Sequence, residues 1–197
     1  MNNVNTKAAK SLDTVAQSLK GQKADPVPAV QSFIDELDNM GVKFKNGKPI
    51  YQGSQIEGLD EPQKVINRIV QRMNEVSDDA YELHNLKKFI DEQVTYGKSA
   101  GGLTGKTERI LKGLRAGIDG VLDSNFSKYN KVNTTYATTK NTIDDFLRAA
   151  GTRFDPKSPN ANARIGTLAR RILSNAQSRA EVLNSLNNLQ KKLYGRP

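Results

Sequence analysis

The sequence predicts an all-α protein, a multi-helix bundle of about seven helices with one small β-hairpin near residues 42–51. Three observations carry this expectation. Leu, Ile and Val recur at three- and four-residue steps in segment after segment, the period of a helix with one buried face. A glycine-rich break, Tyr96 to Gly105, joins two such segments (Glu82 to Val94 and Lys106 to Leu122) as a tight corner around which the remaining chain is organised. A single Asn-Gly pair, Asn46-Gly47, stands between two short apolar-polar runs, the strongest local hairpin signal.

Taken in order, residues 3–21 place Val4, Ala8, Leu12, Val15, Ala16 and Leu19 at helical spacing. The stripe is narrow and rich in small residues, so residues 1–24 are expected as an N-terminal arm that docks loosely or pairs with another chain. Residues 25–197 are expected as the bundle domain. Asp25-Pro26-Val27-Pro28 is a connector, because each proline restricts the residue before it. Ala29 to Met40 reads as a helix with Val30, Phe33, Ile34 and Leu37 inward, stopped by Gly41. In the hairpin that follows, Val42, Phe44 and Tyr51 are expected on one face, and Pro49 confines the pair to an edge.

Pro62 suits the first turn of the next helix, Glu61 to Val76, with Val65, Ile66, Ile69, Val70 and Met73 inward. Ser77-Asp78-Asp79 caps a helix over Ala80 to Tyr96, whose inward stripe is Leu83, Leu86, Ile90 and Val94. His84 falls off that stripe and is expected to be exposed. After the glycine corner, with Thr104 as N-cap, Ile110, Leu111, Leu114, Ile118, Val121 and Leu122 form the clearest stripe in the chain.

Asp123-Ser124-Asn125 breaks that helix, and a long segment runs on to Ala150 with Tyr129, Val132, Tyr136, Ile143, Phe146 and Leu147 inward. Its threonine-rich middle (Thr134, Thr135, Thr138, Thr139, Thr142) has weak helix propensity and needs tertiary contact to hold it. Gly151 to Asn162 is a loop, and Ala163 to Asn175 is helical. Ser178-x-x-Glu181 is a capping box opening the last helix, with Val182, Leu186, Leu189 and Leu193 inward.

Composition narrows the chemistry. There is no cysteine and one histidine, which removes disulfides and any His/Cys zinc site. No apolar run approaches the roughly 18 residues a membrane span needs, and Met1-Asn2-Asn3-Val4 does not open a signal peptide. A soluble protein is expected, kept in a host cytoplasm or within a virion and not exported by the secretory route. Charge is uneven. Residues 1–100 carry 13 Lys+Arg against 14 Asp+Glu, and residues 101–197 carry 17 against 7. All of the +9 excess lies in the second half, which points to an anionic partner there.

Ala100 to Thr107 matches a relaxed phosphate-loop pattern, but that loop needs a buried strand leading into it. The preceding run, Lys87 to Gln93, is helical and charged, so the helix-to-helix corner is the stronger reading and no cofactor is expected. Lys106, Arg109, Lys112, Arg115, Arg170, Arg171 and Arg179 are the candidate contacts to phosphates, with Arg164 beside them. Solvated faces explain the same charges. Asp78-Asp79, Asp91-Glu92 and Asp144-Asp145 are capping and pairing carboxylates, since neighbours on a helix point apart. No catalytic or metal-binding constellation is found.

Leu86-Lys87-Lys88-Phe89-Ile90-Asp91, Tyr96-Gly97-Lys98, Gly102-Leu103-Thr104-Gly105, Leu111-Lys112-Gly113-Leu114-Arg115 and Ile118-Asp119 resemble a segment of long, mostly helical proteins of tailed phages and prophages. Leu168-Ala169-Arg170-Arg171 and the run Leu173 to Arg179 fit the same likeness, which covers residues 28–190. The resemblance implies a phage-encoded, virion-associated protein with no known reaction, and it brings no functional residue. The expected function is a non-enzymatic structural or protein-interaction module whose partners are further copies of the chain or virion components. The alternative is a helical module that binds DNA or RNA through its basic later half.

Overall fold

The computed structural model describes residues 2–76, 78–94, 102–149, 170 and 176–194. Among these are seven helices: α1 (Asn2–Gln17), α2 (Val27–Asn39), α3 (Asp60–Glu75), α4 (Ala80–Gln93), α5 (Gly102–Asn125), α6 (Ser127–Ala149) and α7 (Ala176–Tyr194). One antiparallel hairpin accompanies them, β1 (Lys43–Lys45) with β2 (Lys48–Ile50). The protein is an all-α multi-helix fold. No helix among the described residues is long and apolar enough to cross a membrane. The chain divides into two compact units, Asp13–Asn130 and Met1–Leu12 with Lys131–Pro197. These divisions fall inside α1 and at the start of α6, whereas the sequence placed its boundary at residues 24 and 25.

In the unit Asp13–Asn130, α5 carries the core. Ile110, Leu111, Leu114, Ile118 and Leu122 are all buried along one stripe, as their spacing predicts. They pack with Phe33 and Leu37 of α2, Ile66, Ile69 and Val70 of α3, and Leu83, Leu86 and Ile90 of α4 as the buried apolar set. The end of the N-terminal helix belongs to the same core. Val15, Ala16 and Leu19 are buried, so a loosely docked arm does not describe this part.

Local signals set most boundaries. Helix α2 ends in a paired C-terminal motif, Val42 N–H to Leu37 O (3.0 Å) and Gly41 N–H to Asp38 O (2.8 Å). Gly41 has φ +82, and a Cβ there would lie 3.1 Å from Ser54 Cα, so glycine is required twice over. In the hairpin, Asn46 and Gly47 take positive φ, giving the register Lys45↔Lys48, Phe44↔Pro49, Lys43↔Ile50. With two turn residues the second pair out makes no ladder bond, so Pro49 sits where its missing N–H costs nothing. Asp79 caps α4 by accepting from Tyr81 N and Glu82 N, and it also takes the Gly21 N–H.

Two expected caps differ. Helix α5 already starts at Gly102, so Thr104 lies within its first turn and is not the N-cap. Helix α7 starts at Ala176, which likewise puts Ser178 inside the helix. In both cases the helical backbone begins two residues ahead of the polar residue.

Gly117 of α5 marks the closest approach of α2. A Cβ there would meet Ala29 Cβ at 2.8 Å and Ala29 Cα at 3.3 Å, whereas Gly113 and Gly120 face open space. Gly117→Ala is therefore expected to destabilise by about 1–2 kcal/mol, overpacking outweighing the gain in helix propensity. Gly113→Ala and Gly120→Ala are expected to stabilise by up to about 1 kcal/mol each. Thermal unfolding of the three variants tests this, and a Gly117→Ala protein as stable as the other two would refute the close crossing.

In the other unit, α6 remains helical through its threonines by a local device. Thr135, Thr138, Thr139 and Thr142 each donate a hydroxyl hydrogen bond to the carbonyl four residues earlier, at 2.6–2.8 Å. Tertiary contact is also present but limited: Thr139 and Asn133 are buried, Val132, Tyr136 and Ile143 half-buried, and Thr134, Thr135 and Thr138 exposed. The inward positions Phe146 and Leu147, the loop 151–162 and all but Arg170 of the helix expected over 163–175 lie outside what is described of backbone or side chains.

Candidate functional site

The polar cluster inside the unit Asp13–Asn130 is not visible as one in the sequence. Lys87, Lys88 and Asp91 lie three, four and seven residues after His84 and so share one face of α4. That face meets α5, the start of α6 and α1 within the unit Asp13–Asn130. His84 is 1% exposed and Lys87 2%, correcting the expectation of an exposed histidine. The physical reason is that α4 is covered on two sides. Leu83, Leu86 and Ile90 fill one side, and His84 and Lys87 enter the protein on another.

The hydrogen bonds run in a defined direction. Lys87 Nζ donates to Asp119 Oδ1 (2.7 Å) and to the Tyr129 hydroxyl oxygen (2.7 Å). Having accepted from lysine, the Tyr129 hydroxyl donates its proton to His84 Nδ1 at 2.9 Å. This fixes the neutral tautomer with hydrogen on Nε2, which points at Asp13 Oδ1 at 3.3 Å. Asp13 Oδ1 also accepts from Lys88 Nζ (2.9 Å). At the other end, Arg115 bridges Asp119 Oδ2 (2.9 Å) and Asp91 Oδ1 (3.1 Å). Three cations thus meet three carboxylates through a neutral His-Tyr pair, whose rings also pack edge to face at 5.7 Å.

Burial and charged neighbours move each group away from its ordinary value, in several cases against each other. Desolvation, then the positive charge of Lys87, pushes His84 down to about 4, against the pull of Asp13. Lys87 is also shifted down by burial, although Asp119 opposes the shift, with a weaker attraction from Asp123. Tyr129 is shifted up by burial and then by Asp119 and Asp123, so its hydroxyl keeps its proton. For Asp13, burial raises the carboxyl, but bonds from Lys88 and His84 outweigh it and the net shift is downward. The histidine and tyrosine are held neutral and buried.

The basic residues that the sequence singles out on α5 do not share one face. Lys106, Arg109, Lys112 and Arg115 step by three along α5, and each step turns the face by about 60°, so the four sweep half of the helix. Lys106 donates to Gln55 Oε1 (3.0 Å), Lys112 pairs with Glu108 (3.3 Å), and Arg115 is committed to the buried chain. Arg109 stays exposed at the rim of a cleft of about 220 Å³ between α2 and α5, floored by Phe33, Ile110 and Leu114 and faced by Glu36. Arg170 and Arg179 are exposed in the other unit, and Arg164 and Arg171 lie outside the described residues.

Of the phosphate-loop match, Gly102 to Thr107 is helical and Thr107 is buried, while residues 95–101 lie outside the described set. The described strands are the two of the hairpin, and they are antiparallel. Among the described residues no group of three His, Asp or Glu is placed to hold a metal ion.

Charge, by contrast, follows the compact units. Residues 13–130 carry 16 Lys+Arg against 17 Asp+Glu, a net of −1. Residues 1–12 and 131–197 carry 14 against 4, a net of +10. No protein-family model, curated protein or solved structure matches the chain.

Proposed function

We propose that the chain is a non-enzymatic helical module acting through protein contacts, phage-encoded and virion-associated as the likeness of its central stretch implies. The supporting observation is where side chains are spent. The groups able to carry proton chemistry at the centre, His84, Lys87 and Tyr129, are sealed from solvent and engaged with one another, while large apolar side chains are left outside on α7. Leu183 is 46% exposed and Leu186 40%. A protein that turns over a substrate needs the reverse distribution, with polar reactive groups lining an open cleft. Its place is then the host cytoplasm or the particle itself.

The test is quantitative mass spectrometry of purified particles from the encoding phage. The chain is expected at a fixed copy number per particle. Its absence from particles, with no binding to any purified particle component, would overturn the reading.

The charge division supports a second reading, a DNA- or RNA-binding module. A net of +10 confined to residues 1–12 and 131–197 is a concentrated source of attraction for phosphates. Duplex binding that collapses as salt rises supports it, and no retention on DNA or RNA at low salt ends it.

A further inference from the structure

Helices α2 and α5 come closest where Ala29 meets Gly117, and a cleft opens between them beyond that point. About one to two turns from the crossing, Ser32, Phe33 and Glu36 of α2 line one side of it. Arg109, Ile110, Gly113 and Leu114 of α5 line the other. Phe33, Ile110 and Leu114 are buried and form the floor, while Ser32, Glu36, Arg109 and Gly113 are exposed around it. Gly113 helps keep the space free, since a Cβ there would meet nothing within 4 Å.

Two charges at the rim select the occupant. Glu36 and Arg109 line the same cleft from opposite helices, yet they form no ion pair with each other, and neither is hydrogen-bonded or ion-paired elsewhere among the described residues. Arg109 offers guanidinium N–H donors that suit a carboxylate, and Glu36 offers an acceptor that suits an ammonium group. A phosphate or a simple carboxylic acid held by Arg109 would face the Glu36 carboxylate. A simple amine held by Glu36 would face the Arg109 guanidinium. A neutral apolar molecule would desolvate both charges and pair neither. What answers the floor and both walls together is an apolar body carrying one carboxylate and one ammonium.

Size narrows the choice further. The cleft holds about 220 Å³, below the roughly 300–1,000 Å³ of sites for cofactors and drug-sized ligands. We propose that the cleft between α2 and α5 binds a free apolar α-amino acid of the leucine class, with its carboxylate on Arg109, its ammonium on Glu36 and its side chain over Phe33, Ile110 and Leu114. The inference adds a small ligand to the reading of the chain as an interaction module and does not depend on that reading.

The experiment is titration of the full chain with L-leucine to about 20 mM, followed by amide proton–nitrogen correlation NMR, a range that brackets a Kd of about 0.1–1 mM. Saturable shifts are expected at the amides around Ser32 to Glu36 and Arg109 to Leu114. Isoamylamine, which lacks the carboxylate, and isocaproate, which lacks the ammonium, are each expected to bind about tenfold more weakly or worse. Arg109→Gln and Glu36→Gln should weaken leucine binding by a similar factor. Gly113→Leu should abolish it by filling the cleft, while unfolding no earlier than wild type, because glycine is a poor helix former and the position is exposed. Loss of binding in that variant is then not loss of fold. No saturable shift in wild type, shifts away from the cleft, or either single-charge analogue binding as tightly as leucine would each overturn the proposal. So would unchanged binding in Arg109→Gln, Glu36→Gln or Gly113→Leu. N-acetyl-leucinamide binding as tightly as leucine would also overturn it, and would assign the cleft to an apolar side chain of a protein partner. The particle-association reading survives each of these outcomes, because its own test is the presence of the chain in particles.

Discussion

Replacing Asp119 with alanine is expected to destabilise the unit Asp13–Asn130 by about 3–5 kcal/mol, the cost of leaving a buried cation without its counter-charge. Asp119 accepts from Lys87 through one oxygen and from Arg115 through the other, so the substitution removes an anionic acceptor from each. Arg115 retains Asp91 and is partly exposed, but Lys87 is left with the Tyr129 hydroxyl as its remaining partner in this chain of bonds. Lys87→Met is expected to cost much less, within about 1 kcal/mol of wild type, because an apolar side chain of similar length fills the space and removes the charge. Asp119 then keeps Arg115, and Tyr129 keeps His84. Combining the two substitutions should recover much of the loss in Asp119→Ala.

A second signature belongs to Lys87. Its folded pKa is already lowered by burial, and removing Asp119 lowers it further. Between that folded value and the unfolded value near 10.5 the unfolded chain binds more protons, so stability rises with pH and the Asp119→Ala deficit should narrow as pH increases. Hydrogen exchange of the α4 and α5 amides reads this unit by itself. An Asp119→Ala deficit no larger than that of Lys87→Met would show that the pair is not what it is taken to be.

The parts of the fold that were legible in the sequence are those set by neighbours a few residues apart. Ile110, Leu111, Leu114, Ile118 and Leu122 announce α5 because one helix has one buried stripe and its period is local. Asn46-Gly47 fixes the hairpin register because the turn alone demands two positive φ values. The candidate site is built from the opposite kind of relation. His84 finds Asp13 across 71 positions and Tyr129 across 45, and Lys87 finds Asp119 across 32.

A stripe analysis assigns a helix one inward face, so His84, lying beside the leucines, reads as exposed from sequence, and nothing in the stripe marks Lys87 as buried. The available signal was the run His84, Lys87, Lys88, Asp91 at helical spacing. It marks a second coherent face, but only the fold reveals that this face is covered. The basic residues of α5 show the same limit of a one-dimensional reading. Spacing by three keeps Lys106 to Arg115 near one another in sequence and rotates them steadily apart in space.

Acid is expected to remove on the order of 3 kcal/mol of stability through His84 alone as pH falls from about 6.5 to about 4. The sign follows from which state takes the proton first. The unfolded histidine protonates near 6.5, while the folded one resists until about 4, because it is desolvated and faces Lys87. In that window the unfolded chain binds more protons, so lowering pH favours unfolding. Above 6.5 both states are neutral and the contribution is complete. Protonation also reverses a bond. Nδ1 would then carry hydrogen and confront the Tyr129 hydroxyl, whose own proton must turn away, while Lys87 already occupies that oxygen as a donor.

The bond to Asp13 opposes the shift, and it is the longest in the chain at 3.3 Å. Asp13, held below its usual value by Lys88 and His84 despite its burial, adds its own loss further down, below about 3.8. His84→Gln separates the two effects. A glutamine amide has both an acceptor and a donor for the same neighbours but takes no proton, so its stability should be lower at neutral pH and nearly flat between about 6.5 and 4. Urea unfolding across that range, read through exchange of the α4 amides, should show wild type falling towards the variant as pH drops. Parallel slopes for the two proteins would mean that His84 titrates in the fold as it does in the unfolded chain, and that the burial which organises this centre is not present in solution.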